Sequence, residues 1–487
     1  MSLTLRRLKG RALTQEEMDR NLERLAAFQA ADAGAVERPI RDKAAERLSV
    51  ADFRTAAALD DTAAFKACAA LGRPAFVPWR GTPYVLSGTI NALPGTAFYG
   101  DPGAKPTIRW NSAATARMFD FNACERGGLW NLRLDGNKAL APTGPSIRVR
   151  DCRKVKLEDL ECLDLCGDST GCIVFSGTTS WCAARRIELD DPEGTGIGLT
   201  GAGVQWNRIA EIDVLRSGHF GVRLGEGASF NRVSDVNGLD TGIEVVGLAH
   251  GTRFNIVDGA LAVGAGDNGV SVTGDYNVVA NSINYKNDKA GVGVWGSFNA
   301  LTGNVNVSND QLNTGTWAGI WIGNGFGGAG QNNIGVGNIC DDDQAAMTQT
   351  WTVRIPPNAY TAWATGQTVA AGEYRFHGLN IYRAAAAGTT GATAPAHTAG
   401  AVSDGGVSWN YMGSARGQMT PRINFIGLTG AGGRNKSGQG ANDSSGWVNN
   451  ELFGYGANKR HGNYPAAATG LLQYETYIEA GVFKRAP

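Results

Sequence analysis

A short phrase recurs between Gly196 and about Cys340, and it restricts the possible folds more than anything else in the 487 residues. A small residue is followed by Ile or Val, as in Gly196-Ile197, Gly221-Val222, Gly242-Ile243, Gly269-Val270, Gly291-Val292 and Gly319-Ile320, with an earlier echo at Cys172-Ile173. An aromatic residue followed by Asn comes at Trp206-Asn207, Phe230-Asn231, Phe254-Asn255, Tyr276-Asn277 and Phe298-Asn299. Successive Asn positions are 24, 24, 22 and 22 residues apart, a period that belongs to solenoids. The segments lack the leucine framework of leucine-rich repeats. They are short, rich in Val and Ile and punctuated by Gly, Asn and Asp, so they predict strands. The expected fold class is all-β, a parallel β-helix. In such a coil equivalent positions lie about 4.8 Å apart, so a recurring Asn can hydrogen-bond the next rung and its aromatic neighbour can stack likewise. The ladder is expected to specify register rather than to bind a ligand.

A solenoid needs no single large core, because each rung buries surface against its neighbours. The 68 glycines and the low charged fraction of 18% suit stacked strands with tight turns. The net charge is zero, which leaves no basic field for nucleic acid or an anionic membrane. The start, MSLTLRRLKGR, lacks the apolar core of a signal peptide, and no apolar run reaches membrane-spanning length. The chain is therefore expected to be made in the cytosol and to stay soluble, without membrane insertion. Most of the eight cysteines fall between Cys124 and Cys182, with no CxxC pair and no Cys/His zinc spacing. They are expected to be free thiols at stacked inward positions. No motif asks for a cofactor or a metal.

Along the chain, residues 13–28 predict a helix, with Thr14 as cap, Glu17 in capping-box position and an apolar stripe of Met18, Leu22 and Leu25. Residues 30–49 have no strong pattern and read as a linker. Asp60-Asp61-Thr62 can cap a second helix that Gly72 ends. That helix is the natural cover for the open end of a solenoid. Short strands follow at Ala75-Phe76-Val77, Tyr84-Val85-Leu86 and Thr89-Ile90, and Asp135-Gly136-Asn137 is chiefly a turn. After Cys340-Asp341-Asp342-Asp343 the texture changes, with Trp351, Trp363, Tyr374, Tyr382, Trp409 and Tyr411 punctuating short strands. Such rings either form the core of a small domain or stack on sugars, and core is the expectation for each. Strands resume from Arg422.

The succession of Asp52-Phe53, Asp60-Asp61-Thr62, a helix, Phe76-Val77-Pro78 and Tyr84-Val85-Leu86 resembles the start of pectate-lyase-like right-handed β-helix proteins, which are familiar among bacteriophage tailspikes and tail fibres. Arg54 to Leu59 depart from it, where the family has a Gly-rich segment. Ala12 to Leu25 look like leader segments of phage tail proteins, and the aromatic stretch looks like the small carbohydrate-binding-type β-modules inserted in them. The resemblance implies a virion-attachment leader at 1–49, a capped right-handed β-helix at 50–343, a small β-module at 344–415 and a C-terminal β region at 416–487. It also implies a homotrimer mounted on tail or baseplate proteins through its N-terminus, assembled in the host cytoplasm and located in the virion. Its partner would be a bacterial surface polysaccharide, bound and depolymerised, or only held, by the protein.

No nucleotide loop or nucleophile elbow is present, so a site must come from side chains stacked across rungs. Taking the Gly-aliphatic step as common register, the position two before the glycine is His219, Asp240, Asp267, Lys289 and Trp317, and the position two after it is Arg223, Glu244, Ser271, Gly293 and Trp321. Alternation along a strand sends the second set outward if Ile and Val point inward. Glycoside hydrolysis needs two carboxyl groups flanking a sugar bond, and Asp240, Glu244 and Asp267 are the candidates. Their competing reading is turn chemistry with their own backbone. A lyase would need a base with positive neighbours, for which His219, Arg223 and Lys289 are available. His219, Arg223, Trp295, Trp317 and Trp321 are the candidates for substrate binding. The tryptophans are expected to be exposed, as a sugar platform or a subunit contact.

Overall fold

The computed structural model describes residues 48–414, apart from 56–58, 102, 114–116, 315, 324–332, 345–347, 350, 355–360 and 378–379, together with a few short strands on either side. The helix expected at 13–28 lies outside the described residues except for Ala27–Phe28, which instead form a short antiparallel strand pair with Arg38–Pro39.

From Pro74 onward the chain winds into coils whose strands pair in parallel with their counterparts one turn earlier and later. One face is an eleven-stranded parallel sheet running from Ile90–Ala92 to Trp351–Arg354. The rest of each coil belongs to a second sheet that bends at a corner. At that corner Asn131, Asp159, Arg186, Glu211, Asp235 and Asn281 take φ of 51° to 58°, and Gly259, Gly303 and Gly337 take over where no side chain is present. Left-handed backbone is unfavourable for side-chain-bearing residues, so its repetition rung after rung reflects the stacking that over-determines it. Inward Ile, Val and Leu from all faces form one continuous core, as at Val222, Val270, Val292 and Ile320.

The aromatic-Asn step behaves as expected. Asn207, Asn231, Asn255 and Asn277 are buried. Each of Asn231, Asn255 and Asn277 accepts, through its side-chain oxygen, the backbone N–H of the Asn one rung earlier, at 2.9–3.0 Å. The ladder runs on through Asn299 to Asn333, and Cys182 precedes it, donating its N–H to Asn207 at 2.9 Å. Beside it Trp181, Trp206, Phe230, Phe254, Tyr276 and Phe298 stack with centroids 4.6–5.7 Å apart, all in left-handed backbone. Since each inner ring has its faces against its neighbours, solvent meets edges.

Thr62–Ala69 is the capping helix. Asp60 accepts the N–H and hydroxyl of Thr62, while Asp61 is buried and ion-paired with Arg54 and Arg80. Phe65 inserts among Phe98, Tyr84 and Phe119, closing the core at this end. All eight cysteines are buried free thiols.

Trp351–Arg354, grouped with the aromatic module in the sequence, pairs instead with Ala318–Ile322 of the coil. The antiparallel sheet that follows packs Val369, Tyr382, Ala384, Val407 and Trp409 into its own core, against Trp363 and Tyr411. The buried rings of Tyr382 and Trp409 are therefore not sugar platforms. Ile423–Leu428 then pairs in parallel with Asn333–Val336, so the module interrupts a solenoid that resumes.

Candidate functional site

Strand register decides which side chains meet. Val222 pairs with Val246, Val246 with Val270, Val270 with Val292 and Val292 with Ile320. The step equivalent to Gly221-Val222 is therefore Val245-Val246, and Gly242-Ile243 lies three residues early, in the preceding turn. This corrects the register read from the sequence. The outward row through the middle of these strands is Arg223, Gly247, Ser271, Gly293 and Trp321, without Glu244. Backbone bonds stack His219, Ile243, Asp267 and Lys289 in another row, with Ile243 where Asp240 was expected.

Asp240 consequently leaves the site. It stands exposed in a left-handed turn (φ 53°) just after the strand Arg232–Leu239. His219 is on the rung before and does not line the cleft that its row enters. The other six candidates come together: Arg223, Glu244, Asp267, Trp295, Trp317 and Trp321 line one cleft of about 610 Å³. Phe220, Asn268, Ser271, Lys289 and His250 join them. The tryptophans are not exposed as expected. Trp295 and Trp321 are nearly buried, packed with Ala290 and Trp317 into a wall, and the rings of Trp317 and Trp321 lie 4.7 Å apart at 52°.

The cleft exists because its floor is made of glycine. A Cβ at Gly247 would stand 2.8 Å from the Phe220 ring and 2.9 Å from Glu244 Oε2, and one at Gly293 would meet the Trp295 ring at 2.7 Å. Glu244 and Trp295 thus fold over strand backbone that carries no side chain.

Glu244 is 8% exposed. Burial, and after it the charge of Asp267, push its carboxyl up to about 8, against the pull of Ser271, Asn268 and Lys289. Near neutrality it is largely protonated and can donate a proton. Asp267 differs: its carboxylate pairs with Lys289 at 2.6 Å. Asn268 joins the two acids. Its side-chain oxygen accepts the Ala290 N–H at 3.1 Å, which turns Nδ2 toward Asp267 Oδ1 at 2.8 Å and Glu244 Oε1 at 3.4 Å. Those two oxygens are nearer than the sum of the last two distances, short of the roughly 6.5 Å at which inverting glycosidase pairs begin. A carboxyl raised toward protonation beside an ion-paired carboxylate at this separation is the equipment of acid-assisted glycosidic cleavage. Lys289 also lies 5.3 Å from the centre of the Trp317 ring, joining the ion pair to the aromatic wall.

Asn268 and Gly247 were not singled out in the sequence, the first hidden in the turn-like Gly266-Asp267-Asn268-Gly269 and the second by the displaced register. A signal was present nonetheless. Val222, Val246 and Val270 keep the 24-residue step of the Asn ladder, whereas Gly221, Gly242 and Gly269 do not.

No protein-family model matches the chain, and no curated protein matches its sequence. Among solved structures, the A-module of the Azotobacter vinelandii mannuronan C-5 epimerase AlgE6 aligns over 84% of this chain and 100% of its own, at 13% identity and a TM-score of 0.52. The chain is a right-handed parallel β-helix. Other structures aligned with this β-helix include a tailspike protein of E. coli bacteriophage HK620 in complex with a hexasaccharide, at 11% identity, 69% and 67% coverage and a TM-score of 0.47. Tailspike protein 3 of bacteriophage CBA120 aligns at 12% identity, with 96% and 74% coverage and a TM-score of 0.44. At such identities the likeness concerns the fold alone, and the cleft of this β-helix has to be read from its own residues.

Proposed function

We propose that the protein is a phage tailspike that binds and hydrolyses bacterial surface polysaccharide during host adsorption. The observation that carries the catalytic part is the buried Glu244, its carboxyl raised by burial, beside the ion-paired Asp267 in a cleft walled by Trp295, Trp317 and Trp321. In this reading Glu244 protonates the leaving glycosidic oxygen as the C–O bond breaks. Asp267 attacks the anomeric carbon, and water then hydrolyses the ester with Glu244 now acting as base. Trp317 and its neighbours supply the apolar surface on which a sugar ring packs.

The same reading places the protein in the virion as a homotrimer, assembled in the host cytoplasm and attached to tail or baseplate proteins through residues 1–49, which lie almost wholly outside the described residues. A surface suited to copies of the chain supports the assembly. On the bent sheet the outward row Arg133, Glu161, Glu188, Asp213, Asn237 is polar, but it continues as Leu261, Ile283, Val305, Ile339. Ile256, Val278, Ala300 and Ile334 run parallel to it. Ile256, Ile283, Ile334 and Ile339 are exposed, and a contiguous apolar face of this kind marks an interaction site. Because these rows carry no charge, copies can meet there around an axis without like-charge repulsion.

The test is incubation with purified host polysaccharide while new reducing ends and ultraviolet-absorbing unsaturated ends are both followed. Reducing ends alone are expected. Unsaturated ends would assign a lyase, and retention of the polymer without cleavage would assign a binding fibre.

A further inference from the structure

The charges that line the cleft do not cancel, and the imbalance identifies a class of substrate. Lys289 is matched by Asp267 at 2.6 Å. His250 is exposed at the rim. Arg223 is different. Its side chain is half-buried, Nη1 donates to the Ser169 carbonyl at 3.2 Å, and Cζ lies 5.4 Å from the centre of the Phe220 ring. Among the described residues no carboxylate pairs with it, whereas many other arginines of the coil have one, as Arg148 has Asp120 and Arg186 has Asp159. Among the acids that line the cleft, Asp267 is held by Lys289 and Glu244 is largely protonated near neutrality. A fixed arginine fork with spare N–H donors, beside a sugar-sized space with aromatic walls, is built to receive a planar anion in two-point contact.

We propose that the cleft selects an acidic polysaccharide, with Arg223 binding the carboxylate of a uronic or nonulosonic acid residue next to the scissile bond. The proposal rests on the glycan-cleaving reading above and names its substrate class. Phe220 and the Ser169 carbonyl act as positioning groups, since they hold the guanidinium without neutralising it. Arg223 and Glu244 line the same cleft, so a polysaccharide lying in it can present a carboxylate to the first while a glycosidic oxygen faces the second.

The experiment measures binding by the Glu244→Gln protein, which leaves the ligand uncut, to an array carrying uronic acid, nonulosonic acid and neutral oligosaccharides. Each acidic oligosaccharide is also present with its carboxyl groups reduced to alcohols. The expected result is binding to acidic members about tenfold or more above their reduced forms, with the preference weakening as salt is raised. The further change Arg223→Gln should erase that preference. Carboxyl reduction requires no variant, so the comparison stands even if Arg223→Gln unfolds. Equal binding of acidic and reduced forms, or preference for neutral members, would overturn the acidic substrate and leave the glycan-cleaving reading in place. Binding to no oligosaccharide at all would remove both.

Discussion

Glu244 carries most of the chemistry at the residue scale, and its environment makes two quantities depend on pH. Its carboxyl is raised from 4.5 to about 8, first by burial and then by Asp267. A general acid must keep its proton, so kcat/KM should fall as pH rises through about 8. Stability follows the same group. Between pH 4.5 and 8 the folded chain holds a proton that the unfolded chain has released, so the contribution is full below 4.5 and lost as pH rises through the folded value. The whole loss is on the order of 5 kcal/mol. Denaturation midpoints of wild type and Glu244→Gln should therefore diverge in favour of the amide between pH 4.5 and about 8, and parallel curves across that range would contradict the assignment. Gly247 gives an independent check. A side chain there would meet Phe220 and Glu244 Oε2 within 3 Å, so Gly247→Val should displace the acid and lower kcat about 100-fold or more. Its far-UV circular dichroism should stay that of wild type, and unaltered turnover would mean that Glu244 is not where catalysis happens.

Among the elements, the Asn ladder sets the coil and is also what the sequence displayed most openly. Stacking puts the same physical demand on the same position in every rung, so Asn recurs and the period can be counted. Asn255 accepts the Asn231 N–H and donates to the Ala228 carbonyl and to Asn277 Oδ1, all within the buried interior. Asn255→Ala leaves these groups unsatisfied and should cost about 2–3 kcal/mol in chemical denaturation. Phe254→Ala, which removes an exposed ring from the stack, should cost about 1 kcal/mol or less. The reverse order would mean that the rings and not the amides fix the register. The site was legible only in part, and for a reason tied to particular residues. Gly242-Ile243 imitates the Gly-aliphatic step inside a turn, so counting from it moved Glu244 into the wrong row and brought in Asp240. The correct step, Val245-Val246, has no glycine and so did not stand out. The burial of Trp295 and Trp321 was likewise not legible, since alternation gives the face of a residue but not the ring that folds over it.

For the whole molecule, a solenoid distributes stability over neighbouring rungs, and its flat sheets leave long surfaces for assembly and for an extended polymer. The apolar rows through Leu261, Ile283, Val305 and Ile339 are expected to be covered in a trimer. Sedimentation at micromolar concentration should give three times the chain mass for the wild type and a smaller species for the double change Ile283→Lys and Ile339→Lys. A wild-type monomer would contradict the assembly without touching the cleft. The cleft is tested most directly by the size distribution of host surface polysaccharide after exposure to wild type, Glu244→Gln and Asp267→Asn, each first shown to be folded. The account predicts short products with the wild type, and with either amide a polymer still bound but of undiminished length. Equal shortening by all three proteins would contradict it.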